Sequence, residues 1–126
     1  QTWVDGRKYF SLDEDKVLDL LQGIDALLLT SIGQGEAAPV TVMEAMACGL
    51  PVICSRIGGT PDMINDGTDG FLVDQRDVAA IADRLMRLRN EADLVARIGA
   101  KARETALAQF DRHQNARLLL DRIRAV

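Results

Sequence analysis

Three short apolar runs, Ile24 to Thr30 (IDALLLT), Pro51 to Ser55 (PVICS) and Phe71 to Val73, are closed off by turn-forming residues and separated by stretches with helical spacing. Runs this short, bounded by glycine and proline, have the pattern of strands buried on both faces. Strands that alternate with helices predict a parallel α/β sheet. In such a sheet a ligand is sought outside the carboxyl ends of the strands, so the segments that follow the three runs carry the functional question.

The helical stretches have recognisable ends. Asp13 to Leu21 sets Val17, Leu18, Leu20 and Leu21 behind an acidic first turn that suits the positive end of a helix dipole, and Gly23 stops it. After the glycine-bearing loop Ser31 to Ala38, Pro39 is preorganised for a first helical position, and a helix is expected from Val40 to Cys48 with Gly49 as a left-handed cap. Gly58, Gly59 and Pro61 turn into a short helix near Asp62 to Asn65, and Asp66, Gly67 and Gly70 turn again before the third strand. Beyond Asp77, a cap, three helices are predicted: Val78 to Arg89, Ala92 to about Phe110, and Gln114 to Arg124, with Ile81, Leu85 and Leu88, then Leu118 and Ile123, at helical spacing. The 126 residues make one domain by length, and the opening at Gln1 without a methionine reads as a piece excised from a longer chain.

Composition narrows the function classes. No apolar run approaches the roughly 18 to 20 residues of a membrane span, and Gln1 to Phe10 lacks the order of a secretion signal, so a cytoplasmic location is expected. Cys48 and Cys54 have no His or second Cys at ligand spacing, which argues for reduced, buried thiols rather than a disulfide or zinc site. Residues 1 to 75 hold 4 basic and 12 acidic side chains, and residues 76 to 126 hold 11 and 7. The arginines of the second half alternate with acids at helical spacing and Phe110 is its only aromatic, a pattern of solvated helix faces rather than of nucleic-acid binding.

The densest chemistry lies between Gly33 and Val52. The helix there is apolar nearly all round, which predicts burial on several faces, and Glu44 is its only charge. A carboxylate in that setting needs a partner: an ion pair with Arg56 or Arg7, or the hydroxyls of a bound diol. Glu36 precedes the helix and Glu44 lies about five residues, or roughly 7 Å, inside it, so both can address one ligand. Between them the N–H groups of Val40, Thr41 and Val42 would form an anion site fit for a diphosphate.

Glu36, seven intervening residues, Glu44 and Ala45-Met46-Ala47-Cys48-Gly49-Leu50-Pro51-Val52, then Gly58-Gly59-Thr60-Pro61-Asp62 and Asp66-Gly67-Thr68-Asp69-Gly70-Phe71-Leu72-Val73, form an ordered set of blocks. In these blocks the chain resembles the donor-binding, carboxy-terminal domain of retaining GT-B glycosyltransferases of family four, from about Gly23 to near its end. The resemblance implies a Rossmann-like fold over residues 1–126, half of a two-domain enzyme whose amino-terminal half holds the acceptor. It implies a nucleotide sugar as donor, no cofactor and no required metal, with any membrane contact left to the other half. Glu44 would take the ribose hydroxyls and Glu36 would sit beside the transferred sugar as the catalytic residue. Ala37, Ala38, Pro39, Val40 and Thr41 would contact sugar hydroxyls and diphosphate. The chain departs from the glycine-aromatic-glycine common after the first glutamate, having Ala37-Ala38-Pro39 instead. The Arg and Lys that neutralise the diphosphate in the family lie upstream of the matched blocks.

Two other functions fit parts of the pattern. Gly33-Gln34-Gly35-Glu36-Ala37-Ala38 satisfies the loose dinucleotide fingerprint, with Arg56 after the next strand to hold an NADP 2′-phosphate, although Glu36 would repel the pyrophosphate. A non-catalytic interaction module, docking through the helical tail from Asp77 to Val126, would leave Glu44 without a role. Asp13-Glu14-Asp15 imitates a metal motif but is explained by capping, His113 is expected at the surface, and Cys48 has no visible base to activate it.

Overall fold

The computed structural model describes residues 2–4, 7–9, 13–33 and 37–126. Strands β1 (Thr2–Val4) and β2 (Arg7–Tyr9) pair antiparallel, a hairpin that the hydrophobic patterning does not announce. The chain continues through α1 (Glu14–Gln22), β3 (Leu27–Leu29), α2 (Val40–Ala47), β4 (Val52–Ser55), α3 (Thr60–Met63) and β5 (Phe71–Val73). It ends in three helices, α4 (Val78–Asn90), α5 (Ala92–Gln109) and α6 (Arg112–Arg124). Strands β3, β4 and β5 form a parallel sheet in that order, as the alternation predicts. The result is a Rossmann-like α/β architecture with flanking helices and a helical tail.

Side-chain alternation along the strands divides the core in two. Val52, Cys54 and Leu72 point to one face and pack with Leu21, Val42, Met46 and Ile64, while Ile53, Phe71 and Val73 point to the other and pack with Leu88, Leu94 and Ile98. Helix α5 serves both, giving Leu94 and Ile98 to one cluster and Ala102 and Ala106 to the other. Its Gly99 packs tightly against the turn that closes α2, because a Cβ there would collide with the carbonyl oxygen of Gly49. Gly49 has φ of 74° and closes α2 with two bonds, its own N–H to Met46 and that of Leu50 to Ala45, the αL termination expected of glycine. Arg103 of α5 adds a donor to the Ala47 carbonyl at 2.7 Å.

Four local expectations are corrected. The first strand is shorter than Ile24 to Thr30 and is not buried on both faces: Leu28 is 41% exposed, because β3 is the edge of the three-stranded sheet and no described helix covers that side chain. The short helix begins at Thr60, not near Asp62, since the Thr60 hydroxyl accepts from the Ile57 N–H and donates to the Ser55 carbonyl, fixing the turn that starts it. The last helix starts at Arg112 rather than Gln114, because Asp111 caps it by accepting from the N–H groups of His113 and Gln114. Arg84 and Arg87 are not merely solvated; each guanidinium lies over the Phe71 ring, 5.5 Å from its centre. No helix among the described residues is long and apolar enough to cross a membrane.

Candidate functional site

The carboxyl ends of β3, β4 and β5 open into three neighbouring loops, and the first of these leads into α2. The helix begins at Val40, as expected, but Pro39 stands just outside it as the N-cap rather than at its first position, with φ −66° and ψ 120°. As a proline it offers no side-chain cap, but its carbonyl accepts from the N–H of Val42 at 3.2 Å and of Met43 at 3.4 Å. The expected set of three open donors therefore reduces to two, Val40 and Thr41, whose N–H groups meet no acceptor among the described residues. With the positive end of the helix dipole they still favour an anion at this point.

Helix α2 is packed on one side only. Val42, Ala45 and Met46 are buried, three and four residues apart, whereas Thr41, Glu44 and Ala47 are exposed and Val40 is 62% exposed. Glu44 is thus not the buried carboxylate its apolar neighbours suggest. It points away from the core, and no ion pair to it forms among the described residues. Arg56, offered above as its partner, instead lies 3.6 Å from Asp66 and 3.4 Å from Asp74, and the Arg7 side chain is outside the described residues. Ala37 and Ala38 are exposed and Pro39 is half-buried, so these residues, Val40, Thr41 and Glu44 make one open strip along the amino end of α2. The strip is bordered by two shallow apolar hollows, one reaching Val17 and Leu18 of α1 and the other Leu107 and Phe110. Glu36 lies outside the described residues.

Gly33 and Ala37, the described residues on either side of positions 34–36, are each held by a neighbouring loop. On one side the Gln75 amide, in the loop after β5, accepts from the Gly33 N–H at 2.8 Å and donates to the Gly33 carbonyl at 3.1 Å and the Arg56 carbonyl at 3.2 Å. On the other the Gly59 N–H, in the loop after β4, donates to the Ala37 carbonyl at 2.7 Å. Neither residue was identifiable as part of a site. Gly59 reads as a turn glycine within one of the motif blocks, with no role assigned to it there, and no sequence signal links Gln75 to Gly33 across 42 positions.

The remaining polar residues have structural work. Asp13 caps α1 by accepting from the Lys16 N–H, which accounts for the metal-like triplet, and His113 is exposed in the first turn of α6. Cys54 is buried, but Cys48 is half-buried at the end of α2. Asp69, 1% exposed, is a buried carboxylate that the sequence pattern does not flag. It accepts from the Asn65 N–H, the Asn65 amide and the Thr105 hydroxyl at 2.7 to 2.8 Å and so pins the turn before β5 to α5. The N–H groups that cap α6 hold the Asp111 carboxyl below the usual carboxylate range, that of Gln114 most strongly.

Comparison with known proteins decides the family. The model of the family described as glycosyl transferases group 1 matches residues 7–105. The chain belongs to that family. The match starts at Arg7, earlier than the Gly23 boundary taken from the motif blocks, and so includes β2. Among curated relatives, N-acetyl-alpha-D-glucosaminyl L-malate synthase of Bacillus anthracis is 36% identical over 107 residues, covering 85% of this chain and 28% of the relative. The chain spans under a third of the length of the curated relatives it matches, 26% in the case of AmsK, an amylovoran biosynthesis glycosyltransferase of Erwinia amylovora. Among solved structures, a TarM variant of S. aureus in complex with UDP, alpha-GlcNAc-glycerol and fondaparinux is 27% identical with a TM-score of 0.76, over 84% of this chain and 21% of that one. The α/β fold is shared with part of these GT-B glycosyltransferases.

Proposed function

We propose that residues 1–126 are the donor-binding domain of a retaining glycosyltransferase, which transfers a hexose-type sugar from a nucleoside diphosphate sugar to an acceptor held by a preceding domain of the same protein. The observation that carries this is the open strip at the carboxyl ends of the strands: two N–H groups at the start of α2 that meet no acceptor among the described residues, with Glu44 exposed one turn further on. The N–H pair and dipole suit the diphosphate, and a two-oxygen acceptor one turn away suits the ribose diol. Glu36 is assigned to the sugar. Its negative charge acts on the oxocarbenium character that develops as the diphosphate leaves, which favours the transition state over the ground state. A covalent role is disfavoured, since a retaining hydrolase places its two carboxyl groups about 5 Å apart, and here the diphosphate and ribose sites would lie between the two glutamates.

UDP-N-acetylglucosamine is the donor to examine first, because the Bacillus relative bears N-acetylglucosaminyl in its name and the TarM structure contains UDP with a GlcNAc compound. The alpha configuration in that name supports retention, because UDP-N-acetylglucosamine is itself alpha-linked. A cytoplasmic location fits a nucleotide-sugar donor. The dinucleotide alternative loses support: Arg56, which would hold the 2′-phosphate, is engaged by Asp66 and Asp74.

The test is transfer or donor hydrolysis by the full-length protein, read by NMR at the anomeric carbon, with UDP-, GDP- and ADP-sugars compared in the presence of EDTA. Alpha product formed without added metal is expected, and Glu36→Gln should lower kcat while leaving affinity for free UDP nearly unchanged. Beta product, dependence on a divalent cation, or loss of UDP affinity with kcat preserved would each contradict the corresponding part of the assignment.

A further inference from the structure

We infer that Gln75 is a positioning residue for the donor loop: its side-chain amide, together with the backbone of Gly59, fixes the two ends of the segment that carries Glu36. The inference rests on the donor-site assignment above and extends it to residues that touch neither nucleotide nor sugar.

The chemistry of the contact is specific. A primary amide has one acceptor and one donor group in a plane, and Gln75 presents both to the N–H and the carbonyl of the same residue, Gly33, as a paired strand would. Its remaining donor reaches the Arg56 carbonyl, so a single side chain from the loop after β5 joins the loops after β3 and β4. Four residues on, Ala37 is held from the other direction by the Gly59 N–H. A Cβ at position 59 would collide with the Ala37 carbonyl oxygen, so that close approach requires glycine. Gly33 and Ala37 bracket the three residues that end in Glu36, and both are fixed relative to the sheet.

A purely stabilising role explains this poorly. Gln75 is half-buried, belongs to neither core cluster, and bonds only to the backbones of two loops. Its removal opens no space in the core, so the effect should fall on loop geometry. Displacement of a catalytic group by about 1 Å can cost on the order of a hundredfold in rate, whereas loss of exposed loop contacts leaves global stability nearly intact.

The experiment uses the full-length protein with UDP and UDP-N-acetylglucosamine as probes, and compares wild type with Gln75→Leu, Gln75→Glu and Gly59→Ala. For Gln75→Leu, amide exchange at Gly33 should accelerate at least tenfold and kcat with the nucleotide sugar should fall at least tenfold. The Kd for UDP should stay within about twofold and Tm within a few degrees of wild type. Gln75→Glu keeps an acceptor for the Gly33 N–H but turns its other oxygen toward two carbonyls. Its kcat relative to wild type should therefore recover as the pH is lowered and the protonated carboxyl regains a donor. Gly59→Ala should lower kcat by a similar factor from the opposite end. Wild-type kcat and Gly33 exchange in Gln75→Leu would overturn the inference, as would parallel losses of Tm and UDP affinity or a flat Gln75→Glu pH ratio. Failure of wild type to bind either probe would instead remove the donor-site assignment, and the inference with it.

Discussion

Helix α2 is apolar nearly all round and α6 over only part of its surface, and the two differ in what they bury. Both carry apolar residues at three- and four-residue spacing, yet α2 buries Val42, Ala45 and Met46 completely while α6 buries nothing, with Leu118, Leu119 and Ile123 each more than half exposed. Spacing specifies a face; what covers it is settled by other parts of the fold. For α2 the cover is the sheet and α5, drawn close by Gly99 and held by Arg103 at the helix end. That packing also turns the opposite side of α2 outward, which leaves Val40, Thr41 and Glu44 open at the strand ends.

The largest test of this contrast is a pair of truncations. Met46→Ala removes a side chain at 0% exposure and should destabilise by about 2 to 5 kcal/mol, with a cavity that the surrounding helices fill only in part. Leu119→Ala, at 60% exposure, should change stability by no more than about 0.5 kcal/mol. Urea unfolding of the two variants at equal m-value checks this, and equal losses would show that α6 is packed in solution.

A smaller effect concerns how α6 starts. Because the Asp111 pKa is lowered in the folded chain, its capping contribution is present above the ordinary carboxylate range and is lost as the pH falls through the lowered value. Amide exchange at Gln114 should accelerate in that acid window in the native protein and at all pH values in Asp111→Ala. A Gln114 amide indifferent to both changes would remove the cap from the account.

How much of this was legible in the sequence depended on the range of the interactions. Caps and turns are local, so Asp13, Gly49 and Asp77 gave the right helix ends, and the alternation of apolar runs gave the parallel sheet. Edge position is not local, and the IDALLLT run alone could not reveal that Leu28 would lack cover. Glu44 stands out in the sequence for its isolation among apolar neighbours, but the burial expected of it is not found, since helical phase turns it away from Met46 and Ala45. The contacts from Gln75 to Gly33 and from Gly59 to Ala37 join segments 42 and 22 positions apart, and neither spacing nor composition encodes them.

The claim on which the functional assignment turns is that the open side of α2 receives the nucleotide, and titration calorimetry of UDP into full-length wild type and Glu44→Gln addresses it most directly. Glutamine keeps the shape of the side chain but loses the charge that strengthens its acceptance of the ribose hydroxyls. Binding should weaken by about 1.5 to 3 kcal/mol, and Tm should not change, because Glu44 is exposed and unpaired among the described residues. Undiminished UDP affinity in a fully folded Glu44→Gln protein would contradict the account and place the nucleotide elsewhere.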